Sequence, residues 1–139
     1  MFPLATMQFG PIRSGLIALG VISMGALCQT AAAASLCVNP GGTGGCYTTI
    51  QAAVSHASAY DVIHVRRGTY KEFVTIGIPL SVLGDGAGDT IIDATGLVHG
   101  IFVDGIDNPG LRDVTVAALT VRNAEFEGIL VVSAADVIV

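Results

Sequence analysis

Two stretches of this chain repeat, and the repeat limits the available folds more than any other feature. Asp113-Val114-Thr115-Val116 returns as Asp136-Val137-Ile138-Val139, a shift of 23 residues, and Gly100-Ile101-Phe102-Val103 returns as Gly128-Ile129-Leu130-Val131, a shift of 28. The two shifts agree on a 23-residue unit if the DNPGL segment, 107–111, bulges out of one turn. A unit of about 22 to 23 residues holding three short strands is the period of a parallel solenoid. In such a fold every strand pairs with its equivalent one coil up and one coil down.

The texture around the repeats agrees. From Asp61 onward, short β-branched runs follow one another: VIHV (62–65), FVTI (73–76), LSVLG (80–84), TIID (90–93), IFVDG (101–105), VTV (114–116), LTV (119–121), ILVV (129–132) and VIV (137–139). Gly, Asp and Asn separate them, as turns require. Two-residue Asn-Gly or Gly-Asp links are nearly absent, which disfavours hairpins, and the runs are too short and too irregular in alternation for a β-sandwich. Period-two patterning points Ile63, Val65, Val74, Ile76, Val82, Ile91, Ile101, Val103, Val116, Val121, Ile129 and Val131 inward.

The chain before the repeats has three parts. Residues 1–34 carry a single charge, Arg13, then an apolar run from Gly15 to Leu27 and a small-residue tract from Ala31 to Ala34. That order matches a secretory signal peptide cut after Ala34, and the apolar run of about 13 residues is short of the roughly 20 needed to span a bilayer. Lipid attachment at Cys28 is the alternative, but Leu27 stands where a small residue is required. Cleavage would remove Cys28 and leave Cys37 and Cys46 in an oxidising compartment, where a disulfide closing VNPGGTGG is favoured over free thiols or half of a metal site. Next comes TIQAAVSHA (49–57), with Ile50, Ala53, Val54 and Ala57 on one helical face and Thr48 or Thr49 as cap. Two turns of helix are unstable alone, so this one must lie on an apolar surface. The expected division is 1–34 leader, 35–60 disulfide loop and helix, and 61–139 first coils of the solenoid.

Charge excludes some partners. The whole chain holds 6 basic and 11 acidic residues, and removal of the leader takes Arg13 away. A surface this acidic is a poor fit for nucleic acid, and it would meet an acidic polymer unaided only with difficulty. No membrane association is expected once the leader is gone.

TIQAAVSHASAYDVIHVRRGTYKEFVTI, then LSVLGDGAGDTIID, then VTVAALTVRNAEFEGILV, resembles the N-terminal coils of right-handed β-helix proteins of the pectin lyase-like superfamily, with pectin methylesterases among the similar members. The resemblance covers about residues 46–139. It implies an all-β, right-handed parallel β-helix with the helix at 49–57 capping its N-terminal end. It implies a secreted protein that binds or degrades polysaccharide, pectin-like or another uronic-acid polymer, by lyase or esterase chemistry. In pectin methylesterases the strand matching GILVV carries a Gln in a QAVA-like motif, whereas this chain has Glu127-Gly128-Ile129-Leu130; the catalytic Asp pair and Arg of that family would fall beyond Val139. The chain therefore reads as an N-terminal fragment. A non-catalytic β-helix for display, adhesion or periplasmic binding is the other reading, because the same coils serve both.

Several residues invite a chemical role. His64 and Arg66 alternate with Ile63 and Val65 and so point outward, where a His, an Arg and a neighbouring Asp could exchange protons; a plain solvated strand face explains them equally. Phe102 and Leu130 hold equivalent outward positions, an apolar ladder for sugar CH faces or for a covering segment of the same protein. Asp104 belongs to an acidic set with Asp85, Asp89, Asp93 and Asp107. GDGAGD (84–89) fits neither the EF-hand nor the glycine-rich calcium repeat, and turn geometry accounts for it. The candidate substrate contacts are thus His64, Arg66, Phe102, Asp104 and Leu130, with no metal or cofactor site evident and Ca²⁺ an option only for a longer protein. Asn123 is expected in a left-handed turn.

Overall fold

The computed structural model describes residues 32–139. The leader segment and Cys28 lie outside the described residues. The strands and helix follow in chain order as β1 (Ser35–Val38), α1 (Ile50–His56), β2 (Val62–Val65), β3 (Gly68–Tyr70), β4 (Val74–Ile76), β5 (Ser81–Gly84), β6 (Thr90–Asp93), β7 (His99–Asp104), β8 (Arg112–Ala117), β9 (Thr120–Arg122), β10 (Glu127–Val132) and β11 (Ala135–Ile138). Every ladder is parallel, in three sheets ordered β1-β2-β5-β8-β11, β4-β7-β10 and β3-β6-β9. Three strands complete a coil, and each coil stacks on the last: the chain is an all-β parallel β-helix.

The 23-residue unit holds at one place and shortens or lengthens elsewhere. Val114 pairs with Val137, 23 residues on, but Ile63 pairs with Val82 after 19, Val82 with Val116 after 34 and Val103 with Val131 after 28. Coil length varies because corner turns absorb insertions without disturbing the ladders. DNPGL is one such excursion: Asp104 turns its carboxylate back to accept from the Ile106 and Asp107 amides at 2.9 and 3.2 Å, and the Asn108 side chain donates to the Asp104 carbonyl. At other corners the coils approach so closely that a Cβ on Gly84 or Gly105 would strike the carbonyl oxygen of Ala118 or Ser133 in the next coil.

The core is a column of aliphatic rungs. Ile63, Val65, Val74, Ile76, Val82, Ile101, Val103 and Val116 are buried as expected, together with Val38, Leu80, Val114 and Tyr70. One expectation is off by a residue: Ile92 is fully buried, while Ile91 is only half-buried. The reason is Thr90. Its hydroxyl donates to the Val65 carbonyl and accepts from the Asp85 amide, so Thr90 enters the core without an unpaired polar group and takes the inward parity with Ile92. Val121 and Ile129 pack partly against the core. Val131 keeps the register of Val103 but is 37% exposed on the last rung of its sheet among the described residues.

β1 and β3 were not read from the sequence. β1 extends the largest sheet by pairing with β2, so residues 35–60 are more than a loop and a helix. Cys37 and Cys46 form a disulfide with Cα atoms 4.7 Å apart. Within the loop it closes, the Asn39 carboxamide oxygen accepts from the Gly41 and Thr43 amides. α1 buries Ile50, Ala53 and Val54 and is capped by the Thr49 hydroxyl, which accepts from the Ala52 amide. Two further contacts seat it. Glu72 accepts from the Ile50 and Gln51 amides, both at 2.9 Å, a carboxylate on the positive end of the helix. The Gln51 side-chain oxygen accepts from the Thr75 amide at 2.7 Å and so occupies the free edge of β4.

Candidate functional site

The outer face of β4-β7-β10 collects the most side chains without a structural task. Phe102 lies in register between Thr75 and Leu130, which gives a ladder of one residue per coil. Beside it, the His99 ring stands 6.4 Å from Phe102 and 6.2 Å from Phe73. Phe73 is 39% exposed. Alternation explains the ladder, since Ile101 and Val103 face the core and Phe102 must face out. At the start of the strand a Cβ on Gly100 would collide with the Val121 side chain, so glycine is required there.

His99 pairs in register with Glu127, and its Nδ1 lies 3.1 Å from Glu127 Oε2. The approach is close enough for an ion pair but off the line of a straight N–H···O bond, which leaves Nδ1 buried without an aligned partner. The imidazole is shielded and the carboxylate is the more exposed of the two. A face of this kind offers apolar surface flanked by one His–Glu pair. Neither His99 nor Glu127 was singled out from the sequence, yet the repeat carried the signal: one step before GIFV and GILV stand His99 and Glu127.

The five sequence candidates do not form one site. Phe102 and Leu130 touch in the ladder just described. His64 is exposed on the largest sheet, in register with Cys37 and Leu83. Arg66 follows at the next corner and makes a 3.6 Å ion pair with Asp85. Asp104 is buried, with its carboxylate spent on the turn after β7, so it does not face the ladder.

Two other acids of that set, Asp85 and Asp93, hold corners. Asp85 accepts from the Arg67 amide. Asp93 receives Arg122 Nε and the Asn123 carboxamide at 3.1 and 3.2 Å, and Asn123 is left-handed at φ 60° as expected. The Thr95 hydroxyl and then Asn123, ahead of Arg122, hold the Asp93 carboxyl well below the usual carboxylate range. Among the described residues, no group of three or more His, Cys, Asp or Glu is placed to hold a metal ion, and no helix is long and apolar enough to cross a membrane.

No family model matches the chain, and no curated protein matches it in sequence. Among solved structures it is similar to a pectin methylesterase variant in complex with a hexasaccharide, at 22% identity and a TM-score of 0.55. The likeness covers 69% of this chain and 32% of that one, so the chain spans about a third of the enzyme's length. What the likeness shows is the fold: a right-handed parallel β-helix.

Proposed function

We propose that the outer face of β4-β7-β10 binds polysaccharide, a pectin-like or other uronic-acid polymer, in a protein exported to the periplasm or beyond. The observation that carries this reading is the half-buried Phe102–Leu130 ladder, with the exposed Phe73 and the His99–Glu127 pair beside it. Aromatic and aliphatic side chains stack on the CH faces of sugars, and a neighbouring imidazole and carboxylate meet hydroxyls. The hexasaccharide-bound neighbour supports polymer binding by analogy of fold. The disulfide supports export. The face holds one His–Glu pair and no Arg, so the reading proposed for it is binding of the polymer, with no catalytic step assigned to these residues.

The test is a titration of the ¹⁵N-labelled chain with hexagalacturonate and its methyl ester. Shifts should concentrate at Phe73, His99, Phe102 and Leu130, and Leu130→Asp should weaken binding tenfold or more. Shifts spread elsewhere, or binding indifferent to Leu130→Asp, would refute it. A non-catalytic binding role is the second reading. It is favoured by Glu127-Gly128 standing where the resembled esterases carry the Gln of their oxyanion hole, and absence of methanol or unsaturated product on incubation with methyl-esterified and unesterified polygalacturonate would select it.

A further inference from the structure

A groove of about 480 Å³ lies on the sheet that carries β5, β8 and β11, away from the Phe102 ladder, and is lined by Tyr60, Ser81, Asp113, Thr115, Asp136 and Ile138 among others. Register explains why these residues meet. Val62, Ser81, Thr115 and Ile138 occupy one outward column in successive coils. Two residues ahead of that column stand Tyr60, Pro79, Asp113 and Asp136, of which Tyr60, Asp113 and Asp136 are left-handed at φ 71°, 57° and 51°. Tyr60 is 60% exposed, and no ion pair among the described residues occupies either carboxylate.

We propose that this groove binds a neutral polysaccharide running along the solenoid axis. Coils repeat every ~4.8 Å, close to the length of one pyranose unit, so successive sugars meet successive equivalents of the same two columns. Tyr60 supplies a ring for the CH face of one sugar, Ser81 and Thr115 both donate and accept, and each carboxylate accepts two hydroxyl hydrogen bonds. No Lys, Arg or His lines the groove. An acidic polymer would therefore set its own carboxylates against Asp113 and Asp136 with nothing to neutralise them. Two carboxylates also fall short of a cation's ligand set, so the shape is better matched by hydroxyls than by a metal. This site is independent of the ladder proposed for uronic-acid polymers and can fail while that reading stands.

The ¹⁵N-labelled chain would be titrated with neutral β-1,4-linked hexasaccharides of glucose, mannose, xylose and galactose, and separately with hexagalacturonate and hexalysine, with calorimetry for affinity. At least one neutral hexasaccharide should shift the amides of Tyr60, Asp113, Thr115 and Asp136. Its affinity should fall tenfold or more in Tyr60→Asn and in the Asp113→Asn/Asp136→Asn pair, and stay unchanged in Leu130→Asp. Asn tolerates the left-handed backbone of all three positions, and an unchanged unfolding midpoint confirms that the fold survives; if Tyr60→Asn misfolds, the Asn pair carries the test. No neutral sugar binding, shifts confined to the Phe102 face, tighter binding of hexagalacturonate in this groove, or binding of hexalysine alone would each overturn the proposal.

Discussion

Replacing Ile92 and Ile91 separately by Ala compares two identical side chains, one residue apart, that the coil sends to opposite faces. Ile92 is fully buried in the column Tyr70–Ile92–Val121, whereas Ile91 is half-buried on the outer face between Thr69 and Thr120. Ile→Ala removes three carbons, worth ~0.8 kcal/mol each when fully buried. Tyr70 on one side and Val121 on the other restrict collapse into the void, so a cavity term adds to the transfer term and the loss at Ile92 should be about 3 to 4 kcal/mol. At Ile91 about half of the transfer term applies and no void forms, so the loss should be about 1 kcal/mol. The lower strand preference of Ala affects both variants alike and cancels. The difference, about 2 to 3 kcal/mol, exceeds a tenfold change in the folding constant. Urea unfolding followed by far-ultraviolet circular dichroism would read it as a midpoint shift at constant slope. Equal losses, or a larger loss at Ile91, would refute the placement of Thr90 and Ile92 inward.

Three further outcomes are expected. Reducing the Cys37–Cys46 bond, or replacing both cysteines by Ser, should cost about 2.5 to 3 kcal/mol on loop-closure grounds, measured by the same unfolding experiment. Burial first, then the Asp85 and Glu72 carboxylates, push the Tyr70 hydroxyl up from 10.0 to about 12. Because the folded value lies above the unfolded one, this contribution is complete below pH 10 and is lost as pH rises through 10 towards 12. Ultraviolet titration should show one tyrosine ionising late, and Tyr70→Phe should flatten the alkaline loss at the expense of the 2.8 Å bond that the hydroxyl donates to the Arg66 carbonyl. Gln51→Leu should destabilise the chain by about 1 to 3 kcal/mol through the orphaned Thr75 amide, and hydrogen exchange at that amide should accelerate while Ile101 in the next coil stays protected.

Most of the scaffold was legible because a solenoid repeats one physical problem. Each coil must bury the same apolar positions, so β-branched residues recur at matching places, and the pairs Val114–Val137 and Phe102–Leu130 could be read from residue letters alone. The disulfide followed from cysteine count and compartment, and a threonine cap ahead of an amphipathic stretch was legible as Thr48 or Thr49, of which the structure uses Thr49. The missed strands, β1 and β3, are three or four residues long and sit beside Gly-rich or basic turns, too short to show an alternation of their own; pairing with β2 and β6 makes them strands.

Periodicity therefore determined the fold class, the helix and the greater part of the core, though not Val38, Tyr70, Leu80, Ile92 or Val114, because burial repeats with the chain. Tertiary structure decided what depends on contacts between distant residues. Ile91 and Ile92 are interchangeable until Val65 and Asp85 offer Thr90 its partners. Asp104 resembles a ligand until the turn after β7 takes its carboxylate. Glu72 has no visible task until the coil brings it under the N-terminus of α1. His64 and Arg66 are separated from Phe102 and Leu130 because the chain turns a corner between sheets, while His99 and Glu127, 28 residues apart, are brought to 3.1 Å by a ladder whose length the corners set.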